Sequence, residues 1–540
     1  MKIIRIKTIL FAIIFLAAIL RFYNISNLPP SLGWDEAALG YNAYSLSIDG
    51  RDEFGRRLPL DYLESFGDFK PPMYSYLALI PIKLFGLNEF GVRFPSALFG
   101  TISVLLTFFV VREVFRKDGL ALLSSLFLAI SPWHIMLSRG AFEANVASFF
   151  IILGTLLFLI ALKRKPVFLV FSAVSFALSL YTFNSARVFV PVFTMTLGLI
   201  FLKDLLKIKK ELVLSIIVGV IILIPLANFL FSSQASLRYK EVNIFSDSNI
   251  VKISNQEIAN DGNTIFAKII HNRRVYYARE YIKHYLDNLN PNFLFIKGDG
   301  NPRFSIQDVG QMYLWDLPFI IFGILFLFKK REGFWIIIPV WLLLGIVPAA
   351  FARETPHALR IESSLPTFQI ITAYGLIVLA GYIKRYKKLI YTFLAVFLFL
   401  NVFYFLHGLF VHYAREYSSE WQYTYKEVVL YLEKEKANYD HVYFTDKLGR
   451  PYVFFLTYGK IFPKEFRNSS NISREALGFV HVNALGKYEF LSDVSGSIKN
   501  SGNNLFVDIP QNVPDGANII KTFYLLDTTP SLVVYSILNT

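Results

Sequence analysis

Apolar residues in this chain come in blocks long enough to cross a lipid bilayer, and that excludes most folds open to 540 residues. A hydrocarbon core of roughly 30 Å takes about 20 apolar residues in a helix. Within lipid the backbone polar groups must be satisfied inside the segment, so such blocks are helices. Eleven spans are expected, near residues 6–23, 93–111, 119–136, 144–162, 166–182, 186–202, 212–230, 313–328, 333–350, 365–382 and 389–408. A soluble chain of this length would divide into domains with polar surfaces. The first block has a basic leading edge, but Leu20-Arg21-Phe22-Tyr23 offers no small-residue cleavage site. It reads as a retained helix and not as a cleaved signal peptide.

The loops set the expected orientation. Six short segments carry Lys2, Arg5 and Lys7; Arg112, Arg116 and Lys117; Lys163, Arg164 and Lys165; Lys203, Lys207, Lys209 and Lys210; Lys329, Lys330 and Arg331; and Lys384, Arg385, Lys387 and Lys388. The short loops opposite hold only Arg139, Arg187, Arg353 and Arg360. Basic residues keep loops cytoplasmic, so a multi-pass cell-membrane protein is expected, with its N-terminus inside and, after an odd number of spans, its C-terminus outside. The same loops account for the net charge of +14, and no nucleic-acid partner is expected. With no cysteine, disulfides, thiol catalysis and Cys-ligated metals are excluded.

The expected fold class is therefore an α-helical polytopic membrane protein with a large first external loop and a small extracytoplasmic α/β domain. The expected boundary falls near residue 410: a transmembrane domain over 1–410 and an α/β domain over 411–540. Within the first, residues 24–85 form the external loop and an interfacial helix over Met73–Phe85, too short to span, and residues 231–312 form a second external segment. In the C-terminal region a helix is predicted near Tyr425–Lys436, with strands at His441–Thr445, Leu505–Asp508, Thr522–Leu526 and Leu532–Ile537.

The first loop is anomalous: a basic protein has placed net acidic sequence directly after its first span. Asp35 and Glu36 stand among small and apolar residues (Gly33, Trp34, Ala37, Ala38), at the edge of a buried or interfacial surface. Asp35 can cap the helix that follows or act as a catalytic carboxylate, and the two are compatible. In Gly67-Asp68-Phe69-Lys70-Pro71-Pro72 the paired prolines fix an extended approach to the next helix. A lysine held there suits an anionic lipid phosphate; the alternative is a snorkelling interfacial side chain. Further polar groups sit at external span ends: Trp133, His134, Ser138 and Arg139; Glu143 and Asn145; Asn184 and Arg187; Arg353, Glu354, His357, Arg360 and Glu362. Ionisable groups at such depths are functional candidates, while an Arg139–Glu143 ion pair is the structural alternative.

Phosphate-loop, nucleophile-elbow and H-E-x-x-H signatures are absent, and no Asp-x-Asp pair stands in a suitable place. Tyr277, Tyr281 and Tyr285 recur at helical spacing, which reads as a packing stripe and not as a sugar platform.

Taken in order, the Asp35-Glu36 pair, Lys70-Pro71-Pro72, the run Phe85-Gly86 to Phe90-Gly91-Val92-Arg93-Phe94-Pro95-Ser96-Ala97-Leu98-Phe99-Gly100, and Ser131-Pro132-Trp133-His134 with Ser138-Arg139 resemble the GT-C membrane glycosyltransferases. The resemblance is to the family 39 type, which includes protein O-mannosyltransferases and aminoarabinose–lipid A transferases. It extends to about residue 200, with His357-Ala358-Leu359-Arg360 similar to a motif of bacterial relatives. It implies sugar transfer from a polyprenyl-phosphate donor to a hydroxyl acceptor, with inversion. It assigns Asp35, with Glu36, to catalysis and Lys70 to the donor phosphate; Arg139 and Arg360 are further candidates for that phosphate, and Asp68, His357 and Glu143 for substrate binding. Some relatives place an acid immediately before the lysine, where this chain has Phe69; if that acid is a metal ligand, a divalent metal here is in doubt. A lipid or sugar transporter is the rival from another class, but transporters place polar groups mid-span and show repeated halves, and neither pattern is present.

Overall fold

The computed structural model describes residues 2–232, 235, 243–382, 386–474, 480–499 and 502–537. Lys384 and Arg385 of the last basic loop lie outside the described residues. Each of the eleven expected blocks coincides with a helix or a helix pair, from Lys2–Phe22 and Glu89–Phe115 through Glu143–Lys163 to Thr367–Tyr382 and Lys387–His407. The third is broken: Asp118–Ile130 and Pro132–Arg139 meet at 55°, Pro132 denying the first helix its continuation. Among the described residues four helices are long and apolar enough to cross a membrane, or five if the bent pair is one span. Phe168–Leu180, Ala186–Ile200, Ile337–Ala350 and Thr367–Tyr382 are apolar but shorter. Met73–Phe85 is the expected short helix.

The chain forms two compact units that differ from a division at residue 410. One comprises Met1–Arg21, Leu98–Ser138 and Glu143–Phe405; the other comprises Phe22–Ala97, Arg139–Phe142 and Leu406–Thr540. The first loop therefore belongs with the C-terminal region. In the helical unit the apolar windows of Leu202–Leu230 and Lys387–Glu416 are 17% and 6% buried, so those helices turn their side chains to the surroundings, as lipid-facing helices do. Buried polar tips find backbone partners: Trp341 Nε1 donates to the Ser363 carbonyl (2.7 Å) and Trp133 Nε1 to that of Ala358 (3.2 Å). The tyrosine stripe packs as expected, with Tyr277 against Phe245 and Tyr281 against Phe351.

The second unit is built on a seven-stranded sheet of order β4-β5-β6-β3-β7-β9-β8. The strands are β3 His441–Thr445, β4 Ser470–Arg474, β5 Val480–Leu485, β6 Tyr488–Leu491, β7 Asn504–Asp508, β8 Asn518–Tyr524 and β9 Pro530–Ser536. β3 runs parallel to both β6 and β7, and the remaining pairs are antiparallel. β3 and β7 are buried on both faces, which is why they read as continuous apolar runs. The predicted helix near Tyr425 is found over Tyr423–Glu435. The first loop adds a helix, Trp34–Asp49, and a hairpin, β1 Leu63–Ser65 with β2 Asp68–Lys70. Its two-residue turn, Phe66-Gly67, has φ of 41° and 82°, the left-handed pair that suits tight hairpins and that Gly67 adopts without strain.

Candidate active site

The loop that carries the site is shaped by one buried ion pair. Arg93, on the first turn of Glu89–Phe115, is fully buried. Its Nε and Nη2 donate to Glu36 Oε1 and Oε2 at 2.9 and 2.8 Å. Nη2 also reaches the Ser31 carbonyl at 2.5 Å, and Nη1 those of Ile25 and Pro29 at 3.0 and 2.8 Å. The five N–H groups of a guanidinium are thereby all used. Glu36 in turn accepts from the backbone N–H of Gly33 (3.1 Å) and of Ala141 (2.7 Å). A carboxylate offers about four lone-pair positions, and these contacts fill them. Glu36, expected as a catalytic partner, has its two oxygens engaged by Arg93 and by these N–H groups at the start of the helix that carries Asp35.

Asp35 does not cap that helix. The helix begins at Trp34 and its cap is Gly33, in extended conformation, with Glu36 accepting the cap N–H, the one half of a capping box that a glycine cap permits. The Asp35 side chain, 47% exposed, reaches Lys70 Nζ at 2.5 Å. Lys70 is 8% exposed and also lies 3.2 Å from Asp68 Oδ2 and 5.2 Å from the Phe66 ring centre. Its ammonium is held between two carboxylates by the end of β2 and the two prolines after it, and does not snorkel outward. Asp35, Lys70 and Asp68 are the expected site residues that the fold brings together.

Behind the hairpin lies a polar core that sequence reasoning missed. Glu53 is fully buried. Its Oε1 accepts from Tyr452 Oη (2.7 Å), and its Oε2 from Ser65 Oγ (3.0 Å) and Asn42 Nδ2 (3.2 Å). Tyr452 Oη also accepts from the Phe66 N–H at 3.0 Å. Burial pushes the Glu53 carboxyl up to about 8, against the opposing hydrogen bonds of Tyr452 and Ser65. Burial likewise raises Asp52 to about 6, opposed by the N–H and charge of Arg56. Asp61 pairs with Arg56 within the loop, while Glu64 and Asp49 of the loop, and Glu89 at the start of the next helix, meet bases from the C-terminal region. Arg474 grips Glu64 in a fork at 2.6 and 3.1 Å, Lys426 reaches Glu89 at 2.7 Å, and Arg467 pairs with Asp49.

Arg139 is 1% exposed. Its Nη2 donates to the carbonyls of Tyr23 (2.8 Å) and Leu28 (2.9 Å), so this candidate for the donor phosphate fastens the beginning of the loop. Arg360, His357 and Glu143 belong to the helical unit. Arg360 is paired with Glu354 at 3.6 Å. His357 packs on Phe304 and lies 4.0 Å from Asp299 Oδ2. Burial, with Arg360 nearby, lowers His357 to about 3, so its ring is neutral and the Asp299 contact is not an ion pair. Burial raises Asp299 to about 6, opposed by the N–H groups of Ala358 and Asn301. Glu143 stands in the first turn of Glu143–Lys163, where an acid complements the helix dipole. Among the described residues no three His, Asp or Glu side chains are grouped as metal ligands.

Residues 69–230 match the dolichyl-phosphate-mannose-protein mannosyltransferase family. A protein of Aquifex aeolicus is 30% identical over 226 residues, covering 40% of this chain and 44% of that one. The chain spans less than half the length of the curated relatives it matches. In fold it is similar to ArnT from Cupriavidus metallidurans, with a TM-score of 0.54, 12% identity and 97% of both chains covered; that protein has also been solved bound to undecaprenyl phosphate. It is similar as well to the archaeal oligosaccharyltransferase AglB of Archaeoglobus fulgidus, solved with an inhibitory peptide and a dolichol-phosphate: TM-score 0.51, 12% identity, 85% of this chain and 64% of that one. Residues 69–230 thus carry the mannosyltransferase family's sequence pattern, and the chain as a whole is similar in fold to ArnT and AglB.

Proposed function

We propose that the protein is a membrane glycosyltransferase that moves a sugar from a polyprenyl-phosphate donor to a hydroxyl acceptor on the extracytoplasmic face, with inversion. The observation that carries this reading is the Asp35–Lys70 pair, a half-exposed carboxylate against a buried ammonium at 2.5 Å. A donor phosphate entering the site competes with Asp35 for Lys70. The ammonium turns to the phosphate and Asp35 is left facing the acceptor. The acceptor oxygen attacks the anomeric carbon, its proton passes to Asp35, and the carbon–oxygen bond to phosphate breaks on the opposite face. Charge develops on the leaving lipid phosphate, where Lys70 stabilises it. A single displacement of this kind inverts the anomeric centre.

The outward-turned apolar helices provide the surface on which a polyprenyl tail partitions. The uneven distribution of basic loops supports an external site, and nucleotide sugars, made in the cytoplasm, do not cross membranes unaided. The test is full-length protein in detergent with polyprenyl-phosphate mannose and nucleotide sugars as alternative donors. Transfer is expected only from the lipid-linked donor, with an inverted product, and Asp35→Asn should lower it by about two to four orders of magnitude. Turnover of nucleotide sugars alone would overturn the reading. Movement of lipid-linked sugar across vesicles without transfer would mark a flippase.

A further inference from the structure

The C-terminal region and the first loop together enclose a cavity of about 380 Å³, within the range of small-ligand sites. It opens past the carboxyl end of β3, the strand between its two parallel neighbours, where open α/β sheets place their ligands. One wall is Trp34, the residue directly before Asp35. Its ring packs against Gly449, where an added Cβ would meet Trp34 Cε3 at 2.7 Å, so the indole is held in one orientation. Opposite charges line the rest unevenly. Lys447 is exposed and Arg450 half-buried, against the single carboxylate of Asp446. His481 and Asn483 complete the polar lining. Arg450 begins the helix Pro451–Tyr458, so the positive end of that helix adds to both cations.

Phe66 links this cavity to the catalytic pair. Its ring centre lies 5.5 Å from the Arg450 guanidinium and 5.2 Å from Lys70 Nζ. One aromatic ring thus touches both a cation of the cavity and the lysine paired with Asp35, while Lys70 itself does not line the cavity. An aromatic plane, hydrogen-bonding groups of both kinds and two cations together fit a saccharide bearing an anionic group.

We propose that this cavity is the acceptor subsite, and that the acceptor is a phosphorylated or otherwise anionic saccharide. The inference rests on the transferase reading above. The sugar ring stacks on Trp34, its hydroxyls bond to Asp446 and Asn483, and its anionic group sits on Lys447 and Arg450. A hydroxyl of the same sugar is thereby carried toward Asp35.

Equilibrium binding tests this without any turnover, which separates its failure from that of the transferase reading. Full-length protein in detergent is titrated with mannose 6-phosphate, mannose and inorganic phosphate, and separately with undecaprenyl phosphate. Mannose 6-phosphate should bind at least tenfold more tightly than mannose or inorganic phosphate. The pair Lys447→Gln and Arg450→Gln, one exposed and one half-buried, should abolish that advantage and leave undecaprenyl phosphate binding unchanged. Trp34→Ala should weaken mannose and mannose 6-phosphate alike; Trp34→Phe, which keeps an aromatic plane, should restore most of it. The proposal is overturned if wild-type protein shows no preference for the phosphorylated sugar, or if the double variant binds it like wild type. Loss of undecaprenyl phosphate binding in the double variant would assign the cavity to the donor and overturn it equally.

Discussion

Replacing Glu53 by Gln should make the protein more resistant to alkaline conditions. Glu53 is buried beneath the hairpin that carries Lys70, and burial raises its carboxyl from the ordinary 4.5 to about 8. The folded state thus holds a proton that the unfolded chain releases. Its stabilising contribution is complete below pH 4.5 and is lost as the pH rises to about 8. At about 1.4 kcal/mol per pH unit, that gap is worth on the order of 5 kcal/mol at full extent. Glutamine keeps the size and can accept from Ser65 and Asn42, and it has no charge to bury. The assay is the thermal midpoint of full-length protein in detergent, read by tryptophan fluorescence from pH 5 to 9.5 for wild type and Glu53→Gln. The two should agree within a few degrees at pH 5 and diverge progressively above pH 6, the variant being the more stable at pH 9. Parallel curves over the whole range would refute the reasoning, because Glu53 would then be charged or neutral in both states alike.

Arg93→Met should destabilise by about 3–5 kcal/mol, since it strands the Glu36 carboxylate in a buried site; adding Glu36→Gln should recover part of the loss in the same thermal assay, and no recovery would mean the two do not act as a pair. Lys70→Ala should raise the KM for the lipid-linked donor more than that for the acceptor, whereas equal losses would favour a purely structural lysine. A phosphatase fused after Thr540 should be active only outside the cytoplasm, and activity inside would invert the expected topology.

The helices were legible because their signal is one of length and hydropathy, which needs no partner. The Tyr423–Glu435 helix and strands β3, β7, β8 and β9 were legible within a few residues for similar reasons: each is periodic or continuously apolar. β4, β5 and β6 were not. Their sequences are short and mixed, and β4 is mostly exposed, so they take their form from pairing in the sheet. At the candidate site, local pattern singles out Asp35, Lys70 and Asp68, which the fold brings together. Arg93 was read as part of a motif with no role, because its partners lie about sixty residues earlier. Glu53 and Tyr452 are 399 positions apart, a distance at which neither identity hints at the other. Part of the surplus of acid in the first loop, Asp49 and Glu64, answers to Arg467 and Arg474, bases 418 and 410 positions later that local pattern does not point to.

That separation has a consequence for synthesis. A ribosome releases Asp35 and Lys70 early, yet Arg93, Ala141, Tyr452 and Arg474 follow one after another, and the last of them emerges when most of the chain is already made. Glu36 meets Arg93 within about sixty residues, but until Tyr452 and Gly449 follow Glu53 has no phenol to bury against and Trp34 has no glycine to pack upon. A nascent chain thus carries Asp35 for most of its synthesis without the contacts that hold Trp34 and the hairpin beside it. In the proposed transferase the surroundings of Asp35 and Lys70 would therefore be complete only on the finished polypeptide.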